Sequence, residues 1–421
     1  MKTVLLFVAL ATPGALLAQQ APEPLRITLD DAVARAVASS PGVSAAEGAI
    51  LAADGRRAQT TWPLAGNPTI EFERTRRRAL SGEVYDVGWR FTQALEISGS
   101  SRRARRAADA RIQASRAYVD DATRVTTLET QLSYAWLHLA EQRAELATSN
   151  AELAEELEDL ARRQLDAGEI NVLSFNTAAL EAARARSLAD RFDAERLSAH
   201  ADLARLVGED SGLRLTTAAL PELPSVIPAA ETLLTAAILR RPDLQGATLE
   251  VDATTDQLSA SRRGRVPNIE LAVFDGQEEG TDDLLGVSLG VSIPLFQRNQ
   301  ADVGAARAEH AAAQAFSIAT LRAIRSDVEG WSERYRGARR SARRFVDELL
   351  LASRENVSLA GLAFEEGELS VADVVVFRST ALAAQLEYLD VLADAYESWF
   401  ELAAAVDVRP EELPTLTGDA S

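Results

Sequence analysis

The chain contains 421 residues, 47% of them apolar and 5% aromatic, a composition typical of long packed helices. The formal net charge of -19 argues against a nucleic-acid partner, because nucleic-acid phosphates require a basic protein surface. Cysteine is absent, which excludes a disulfide framework, a thiolate metal site and a lipid attached to an N-terminal cysteine.

The first residues of the chain have the pattern of a secretory signal peptide. Lys2 precedes the apolar stretch 4–17, and small residues lead up to Ala18. A membrane-anchoring helix is the alternative, but the apolar run is short for a membrane span and no stop-transfer pattern follows it. We therefore predict a signal peptide over residues 1–18 and export of the mature chain from the cytoplasm.

The mature sequence is duplicated. When it is shifted by 199 residues, the tripeptide 167–169 falls on 366–368, and the apolar positions of a heptad pattern also coincide. The residues that match around the predicted strands are Pro68, Ile70 and Glu71 with Pro267, Ile269 and Glu270. A repeat of this length predicts an elongated scaffold with internal pseudosymmetry.

Both repeats have the same predicted order of elements: a helix, a β-hairpin, a very long helix and a return helix. The first helix of each repeat is predicted as one segment, at about 31–60 and at 229–263. The predicted division of the mature chain is a first repeat at 19–208, a proline-rich connector at 209–228, a second repeat at 229–408 and a C-terminal tail at 409–421. Within the repeats, the hairpins are predicted at 68–96 and 267–295, the long helices at 100–166 and 300–366, and the return helices at 172–207 and 371–406.

Alternation of apolar residues with polar or small residues predicts the strands of the two hairpins. The alternating apolar residues are Val87, Trp89 and Phe91 in the first hairpin and Val287, Leu289 and Val291 in the second. One face of each hairpin is therefore expected to be apolar, while the other face tolerates water.

The region 100–166 contains no proline and carries leucine every seven residues, at Leu132, Leu139, Leu146, Leu153 and Leu160. Heptad spacing is typical of helices that wind around each other in a coiled coil. At a rise of about 1.5 Å per residue, such a helix is roughly 100 Å long. The sequence therefore predicts long helical hairpins that pack through leucine seams and turn at two glycines.

Two interpretations of the strands remain open from the pattern alone. No stretch of the mature chain is apolar over the roughly eighteen residues of a membrane helix, so a membrane crossing has to be made by strands in a closed barrel. Membrane barrels have about eight strands or more, so several copies of the chain have to share one barrel. In the second interpretation, the strands form water-soluble hairpins at the end of a coiled-coil rod, whose seams are the same.

The duplicated order of helix, hairpin, very long helix, glycine turn and return helix behind a signal peptide resembles the TolC-type outer-membrane efflux proteins. The segments 27–33, 67–68, 94–99 and 167–169 are similar to the heavy-metal (CzcC-like) branch of that family. The resemblance covers nearly the whole mature chain, and the duplicated architecture is its most specific part.

The resemblance implies a fold that is mostly α with a small β part. In such a homotrimer the long coiled-coil helices form an α-helical tunnel joined to a shared outer-membrane β-barrel. The implied function is the channel component of a tripartite efflux or secretion system, a passive exit duct through outer membrane and periplasm. The implied partners are outer-membrane lipid, a periplasmic adaptor (membrane fusion) protein and an inner-membrane pump. A soluble periplasmic coiled-coil scaffold without a channel is the alternative.

The resemblance also assigns candidate site residues, and the alternating strand residues named above are expected to face lipid. Asp373 matches an aspartate that narrows the pore at the closed tip, where three copies facing one axis repel each other and attract cations. Ser370 and Asp373 are equally a good helix start, and the two roles are compatible. The residues that match the adaptor-docking tip turns are Gly168, Glu169, Gly367 and Glu368, although each glycine also suits the ordinary end of a helix.

No pattern in the sequence indicates an enzyme. His138, His200 and His310 lie on separate predicted helical stretches without the paired spacing of a zinc site. The sequence also contains no nucleophile motif and no phosphate-binding glycine loop. We therefore expect no catalytic residues, no cofactor and no resident metal site.

Overall fold

The computed structural model describes residues 25–60, 64–79, 82–209, 215–278, 282–366 and 368–416. The predicted signal peptide at 1–18 and the end of the predicted tail lie outside these ranges. Gly367, the glycine of the second predicted tip turn, also lies outside the described residues.

The described elements follow each other in two similar series. The first series is β1 (Leu25–Ile27), α1 (Leu29–Ser39), α2 (Pro41–Ala58), β2 (Thr69–Ala79), β3 (Gly82–Leu95), α3 (Ser100–Asp166) and α4 (Val172–Leu206). The second series is β4 (Leu215–Thr217), α5 (Ala230–Arg240), α6 (Pro242–Arg263), β5 (Ile269–Glu278), β6 (Asp282–Val291), α7 (Gln300–Arg344), a π-helical turn (Phe345–Leu350), α8 (Leu351–Glu365) and α9 (Val371–Val406). A short 3-10 helix at Pro410–Thr415 ends the described chain. The prediction of a mostly α fold with a small β part is confirmed.

Each repeat begins with two helices where one was predicted. Pro41 and Pro242 cause the breaks, because proline has no N–H to donate within a continuing helix and restricts the residue before it. In the first repeat, the Ser40 hydroxyl caps α2 by accepting a hydrogen bond from the Val43 N–H at 3.3 Å. Proline at the first position of a helix is favourable, so each break also starts the next helix.

The two long helices differ from each other. Helix α3 is uninterrupted over 67 residues, whereas the single helix predicted at 300–366 is divided into α7 and α8 by the π-helical turn. A π turn takes an extra residue into the helical ladder, and here Phe345 lies with its ring 6.4 Å from that of Tyr388 on α9. None of the helices that the structure describes combines the length and the apolar character needed to cross a membrane.

The seam between α3 and α4 consists mainly of alanines, where leucines were predicted. Leu139 is buried, but Leu153 has 42% of its surface exposed. The buried heptad follows one residue later, at Ala140, Ala147, Ala154 and Ala161. Opposite these residues α4 also buries alanines, which allow the two backbones to approach closely. The predicted period was therefore right. Of the predicted leucines, Leu139 is buried and Leu132 packs against the main core, whereas Leu153 lies beside the contact.

The largest aromatic core lies partway along the helices and joins the two repeats. Trp399 and Phe400 of α9 pack with Tyr335 and Ile324 of α7 and with Leu233 of α5. A second cluster surrounds β1 and β4, which pair in parallel. There the Tyr134 hydroxyl donates to the Ile27 carbonyl at 2.9 Å and accepts from the Ala218 N–H at 2.7 Å. The strand pair is thereby fixed against α3.

The four remaining strands form one antiparallel sheet in the order β2-β3-β5-β6. The two hairpins, one from each repeat, meet through β3 and β5, with Phe91 opposite Val273. The sheet extends from the end of the bundle where α2 and α6 end and where α3 and α7 begin. The turns between α3 and α4 and between α8 and α9 therefore lie at the far ends of the long helices.

Candidate functional site

One face of the sheet is largely apolar, although Arg74 and Gln277, opposite Val87, and Asp275, opposite Trp89, share it. Residues paired across antiparallel strands point to the same side, so the register aligns Phe91, Val273 and Val287. The same register gathers on this face Ile70, Phe72, Val87, Trp89, Leu271, Leu285, Leu289 and Val291. Leu285, Val287 and Leu289 are 79%, 76% and 70% exposed. All six strand residues predicted to face lipid thus lie on one uncovered surface, and their contact with lipid stays a prediction.

The opposite face of the sheet is polar and charged. The Arg77 guanidinium lies 2.9 Å from the Asp86 carboxylate on the neighbouring strand. The Arg90 guanidinium donates to the Ser288 hydroxyl at 3.3 Å and lies 5.0 Å from the centre of the Phe274 ring. These side chains pair with each other across strands, as expected for a surface that contacts water.

Both edges of the sheet are open within one chain. Strands β2 and β6 each have one neighbour, so the outer N–H and C=O groups of both strands have no strand partner among the described residues. An open edge next to an exposed apolar face is a template for pairing with another strand. The single chain therefore presents two edges that a further copy can complete.

The long helices also leave apolar side chains uncovered. Examples are Val172, Leu173, Leu180 and Leu197 on α4, Phe316 and Ile318 on α7, and Leu351, Leu359 and Leu362 on α8. Scattered exposed leucines are common on protein surfaces, but repeated apolar residues along helices of this length indicate seams for neighbouring helices. The helical part of one chain thus leaves apolar surface uncovered, as its sheet does.

The first tip turn is a Schellman motif. Gly168 has a φ of +76°, a left-handed conformation that glycine adopts without a Cβ clash. The Gly168 N–H donates to the Leu165 carbonyl at 2.9 Å, and the Glu169 N–H donates to the Gln164 carbonyl at 2.8 Å. In the second turn, the Glu368 N–H makes the equivalent bond to the Ala363 carbonyl at 2.8 Å. Both turns end their helices, and adaptor docking stays a prediction.

The two turns lie together at one tip. Leu157, Ala161 and Ala178 of the first repeat form one buried cluster with Val371 and Val374 of the second repeat. The side chains of Ile170, Phe175 and Phe364 pack around this cluster. The tip is therefore a single packed unit made by both repeats.

Asp373 is placed as a capping residue. The Ser370 N–H and hydroxyl donate to its carboxylate at 3.0 Å and 2.6 Å, and its own N–H donates back to the Ser370 hydroxyl at 3.4 Å. The hydrogen bond from the Ser370 hydroxyl, followed by the one from its N–H, lowers the pKa of Asp373. The carboxylate is therefore charged at neutral pH and remains exposed, and its place in a pore stays a prediction.

Gly168→Ala tests the strained position of the first turn. The added Cβ has open space around it, so the expected loss of about 1–2 kcal/mol in the free energy of unfolding comes from the left-handed backbone alone. Gly330→Ala is the matched control, because this helical glycine also has open space and a helical backbone favours alanine. Chemical denaturation of both variants measures the difference. Equal stability of the two variants contradicts the motif.

Glu96 connects the sheet to α3. It lies in the segment 94–99 that resembles the heavy-metal branch, but its role as a helix cap was not predicted from the sequence. Its side chain is 6% exposed, and its carboxylate accepts hydrogen bonds from the Ser98 hydroxyl and from the N–H groups of Ser100 and Ser101, the last two at 2.7 Å and 3.1 Å. Burial acts to raise the pKa of Glu96, but these hydrogen bonds outweigh burial and lower the pKa. Glu96 thus supplies the N-terminal cap of α3, whose Gly99 has no side chain to do so.

The three histidines have separate structural partners. His138 Nδ1 lies 2.8 Å from the Thr217 hydroxyl, His200 Nε2 accepts from the Leu215 N–H at 2.8 Å, and His310 Nδ1 lies 3.2 Å from the Thr254 hydroxyl. Burial lowers the pKa of His138. Within the described ranges, no group of three or more histidine or acidic side chains is arranged to hold a metal ion.

The fold is that of outer-membrane channel proteins. A membrane protein from Pseudomonas aeruginosa superposes with a TM-score of 0.77 at 19% identity, covering 90% of this chain and 90% of that chain. The outer-membrane channel OprN superposes with a TM-score of 0.76 at 19% identity, covering 91% of this chain and 90% of that chain.

Sequence comparison gives a family match for part of the chain. Residues 233–407 match the family model described as outer membrane efflux protein. The cobalt-zinc-cadmium resistance protein CzcC of Cupriavidus metallidurans is 25% identical over 262 residues, which is 62% of this chain and 62% of CzcC. The match therefore spans less than two thirds of that relative's length.

Proposed function

We propose that the chain is the outer-membrane duct of a tripartite efflux system, active as a homotrimer. The observation that carries the proposal is the four-stranded sheet with one apolar face, one polar face and two open edges. Three such sheets, joined edge to edge, close a barrel of twelve strands. Closure satisfies every edge, puts the apolar face toward lipid and leaves the polar face around a water-filled bore.

The helical part continues the bore into the periplasm. The alanine seams close-pack the helices of one chain, and the exposed leucines supply further seams between chains. Helix α3 alone is roughly 100 Å long, enough to carry the tip far from the membrane. At that tip, the turns at Gly168 and beside Glu368 meet the adaptor protein, which connects the duct to an inner-membrane pump.

Divalent heavy-metal cations are the proposed cargo. The similarity to CzcC, whose name states resistance to cobalt, zinc and cadmium, supports this class of substrate. A duct passes ions without holding them, so the proposal needs no resident metal ligands. The pump supplies the energy and most of the selection, and the duct supplies the path.

The alternative function, a soluble periplasmic scaffold, conflicts with the exposed apolar face. The test is purification of the mature chain, followed by mass measurement in detergent and current recording in a planar lipid bilayer. The duct predicts dependence on detergent, a particle of three chains and stable single-channel conductance. A detergent-free particle that produces no current contradicts the proposal and supports the scaffold.

Asp373→Asn is predicted to lower the cation selectivity of the closed duct, because three carboxylates at one narrow point attract cations. Ser370→Ala is the control for the capping role, since it weakens the helix cap and keeps the charge of Asp373. We expect the control to lose stability by about 1 kcal/mol and to retain its selectivity. Reversal potentials across a salt gradient measure both variants. Unchanged selectivity in Asp373→Asn excludes Asp373 from the pore.

A further inference from the structure

Positive charge is concentrated where the helices meet the sheet. The segments 97–108, 257–269 and 292–301 contain four, three and one arginine, respectively, and no acidic residue. The chain as a whole has a net charge of -19, so these segments differ from the rest of the surface. We call the three segments together the basic junction.

Side-chain contacts bring the three segments into one region. The Ser100 hydroxyl at the start of α3 donates to the Ala260 carbonyl near the end of α6 at 3.0 Å. The Asn299 amide before α7 donates to the Ser261 carbonyl at 2.8 Å. The Arg263 guanidinium donates to the Ser98 carbonyl at 3.2 Å. The basic junction is thus continuous in space although its segments are far apart in sequence.

Part of the charge in the basic junction is used internally. Arg103 forms an ion pair with Asp256 at 2.7 Å. In contrast, Arg265 and Arg298 are exposed and form no ion pair within the part of the chain that the structure describes. These two arginines line one open recess together with Pro294, Phe296 and Gln300. The recess therefore presents two positively charged guanidinium groups beside an aromatic ring.

The recess adjoins the foot of the apolar face. Strand β6 ends at Val291, and the exposed residues Ile293 and Leu295 connect it to Phe296, which is 88% exposed. Ile97, just after β3, is also exposed. An aromatic side chain beside arginines, directly after an apolar strand face, is the arrangement that polar–apolar membrane interfaces favour.

We propose that the basic junction binds the phosphate headgroups of anionic phospholipids in the membrane leaflet nearest the helices. Arg265 and Arg298 present planar donors that match phosphate oxygens, and Phe296 inserts among the acyl chains at the headgroup level. The proposal rests on the proposed function, because the apolar face has to lie in lipid for the headgroups to reach the recess. The bound lipid fixes the depth of the duct in the membrane.

The test compares lipid retained by the purified, detergent-solubilised oligomer. The protein is equilibrated with equal amounts of phosphatidylglycerol and phosphatidylcholine, and bound lipid is quantified by native mass spectrometry. The test variant is Arg265→Gln/Arg298→Gln. The matched control is Arg322→Gln/Arg325→Gln, which removes the same charge from exposed positions on α7 outside the basic junction.

The wild type and the control are expected to enrich phosphatidylglycerol, and the test variant is expected to lose this preference by about fivefold for each arginine removed. Arg265→Lys/Arg298→Lys keeps the charge and is expected to retain most of the preference. All variants should retain the oligomer and its conductance. If the wild type itself forms no oligomer or carries no current, the proposed function fails, and that result is distinct from a failure of the lipid proposal. Equal preference in test variant and control, or a change in ion selectivity without a change in bound lipid, overturns the inference.

Discussion

Leu289→Arg should prevent assembly in the outer membrane. The side chain lies on the apolar face of β6, opposite Leu271 and 70% exposed, so in a closed barrel the arginine contacts hydrocarbon. A cationic side chain on the lipid face of a membrane strand costs about 2–4 kcal/mol near the bilayer centre and less toward the interface, which lies just beyond Val291, and a homotrimer incurs the cost three times. The expected result is loss of the trimer from outer-membrane fractions and loss of conductance after purification.

Ser288→Arg is the matched control for this prediction. It adds the same charge one residue earlier, on the polar face. There it replaces the hydroxyl that accepts from Arg90, but water and the diagonally placed Glu270 carboxylate offset the added charge. We expect this variant to assemble and conduct, with a change limited to ion selectivity. If both variants assemble equally well, the assignment of the two faces is wrong.

Glu96→Gln should destabilise the junction between the sheet and α3. The carboxylate accepts from two backbone N–H groups at the start of α3, and a charged acceptor makes about twice the contribution of a neutral one. Its replacement by a neutral amide is therefore expected to lower the free energy of unfolding by about 2 kcal/mol. Glu152→Gln, an exposed change on the same helix, is the control and should remain near the wild type.

The same variant gives a pH test. Because the pKa of Glu96 is lower in the folded chain than in the unfolded chain, its contribution is complete above the ordinary glutamate pKa of about 4.3. The contribution is lost as the pH falls through the lowered folded pKa. The difference in unfolding midpoint between wild type and Glu96→Gln should therefore be largest at neutral pH and shrink under acid conditions. A difference that is constant down to pH 3 contradicts the charged cap.

Local patterns predicted the parts of the fold that depend on local rules. Period-two alternation placed Val87, Trp89, Phe91 and the second-hairpin residues on the correct strands, because the side-chain period of a strand is fixed. The turn at Gly168 was predicted correctly because ending this helix requires a residue in the left-handed conformation. The breaks at Pro41 and Pro242 followed an equally local rule, and their signal was present in the sequence.

Other features depend on which elements meet in space. Leucines and alanines both repeat every seven residues along α3, and only the position of α4 decides that Ala147 is buried while Leu153 is half exposed. Glu96 resembles any other glutamate until the turn to Ser100 folds around it. The basic junction likewise exists only when the end of α6 lies against the starts of α3 and α7. Such long-range contacts have no fixed spacing in sequence.

Disulfide trapping between the two edge strands tests the central claim most directly. The chain has no cysteine, so Phe72→Cys on β2 can be combined in turn with Leu285→Cys, Val287→Cys or Leu289→Cys on β6. Within one sheet, β2 and β6 are separated by three strand spacings, about 14 Å, which is beyond the roughly 7 Å that a disulfide allows between Cα atoms. Any cross-link therefore joins two chains. A shared barrel predicts that oxidation in membranes yields, for at least one cysteine pair, a covalent ring of three chains. Monomers for every pair, or cross-linked species larger than three chains, contradict the shared barrel.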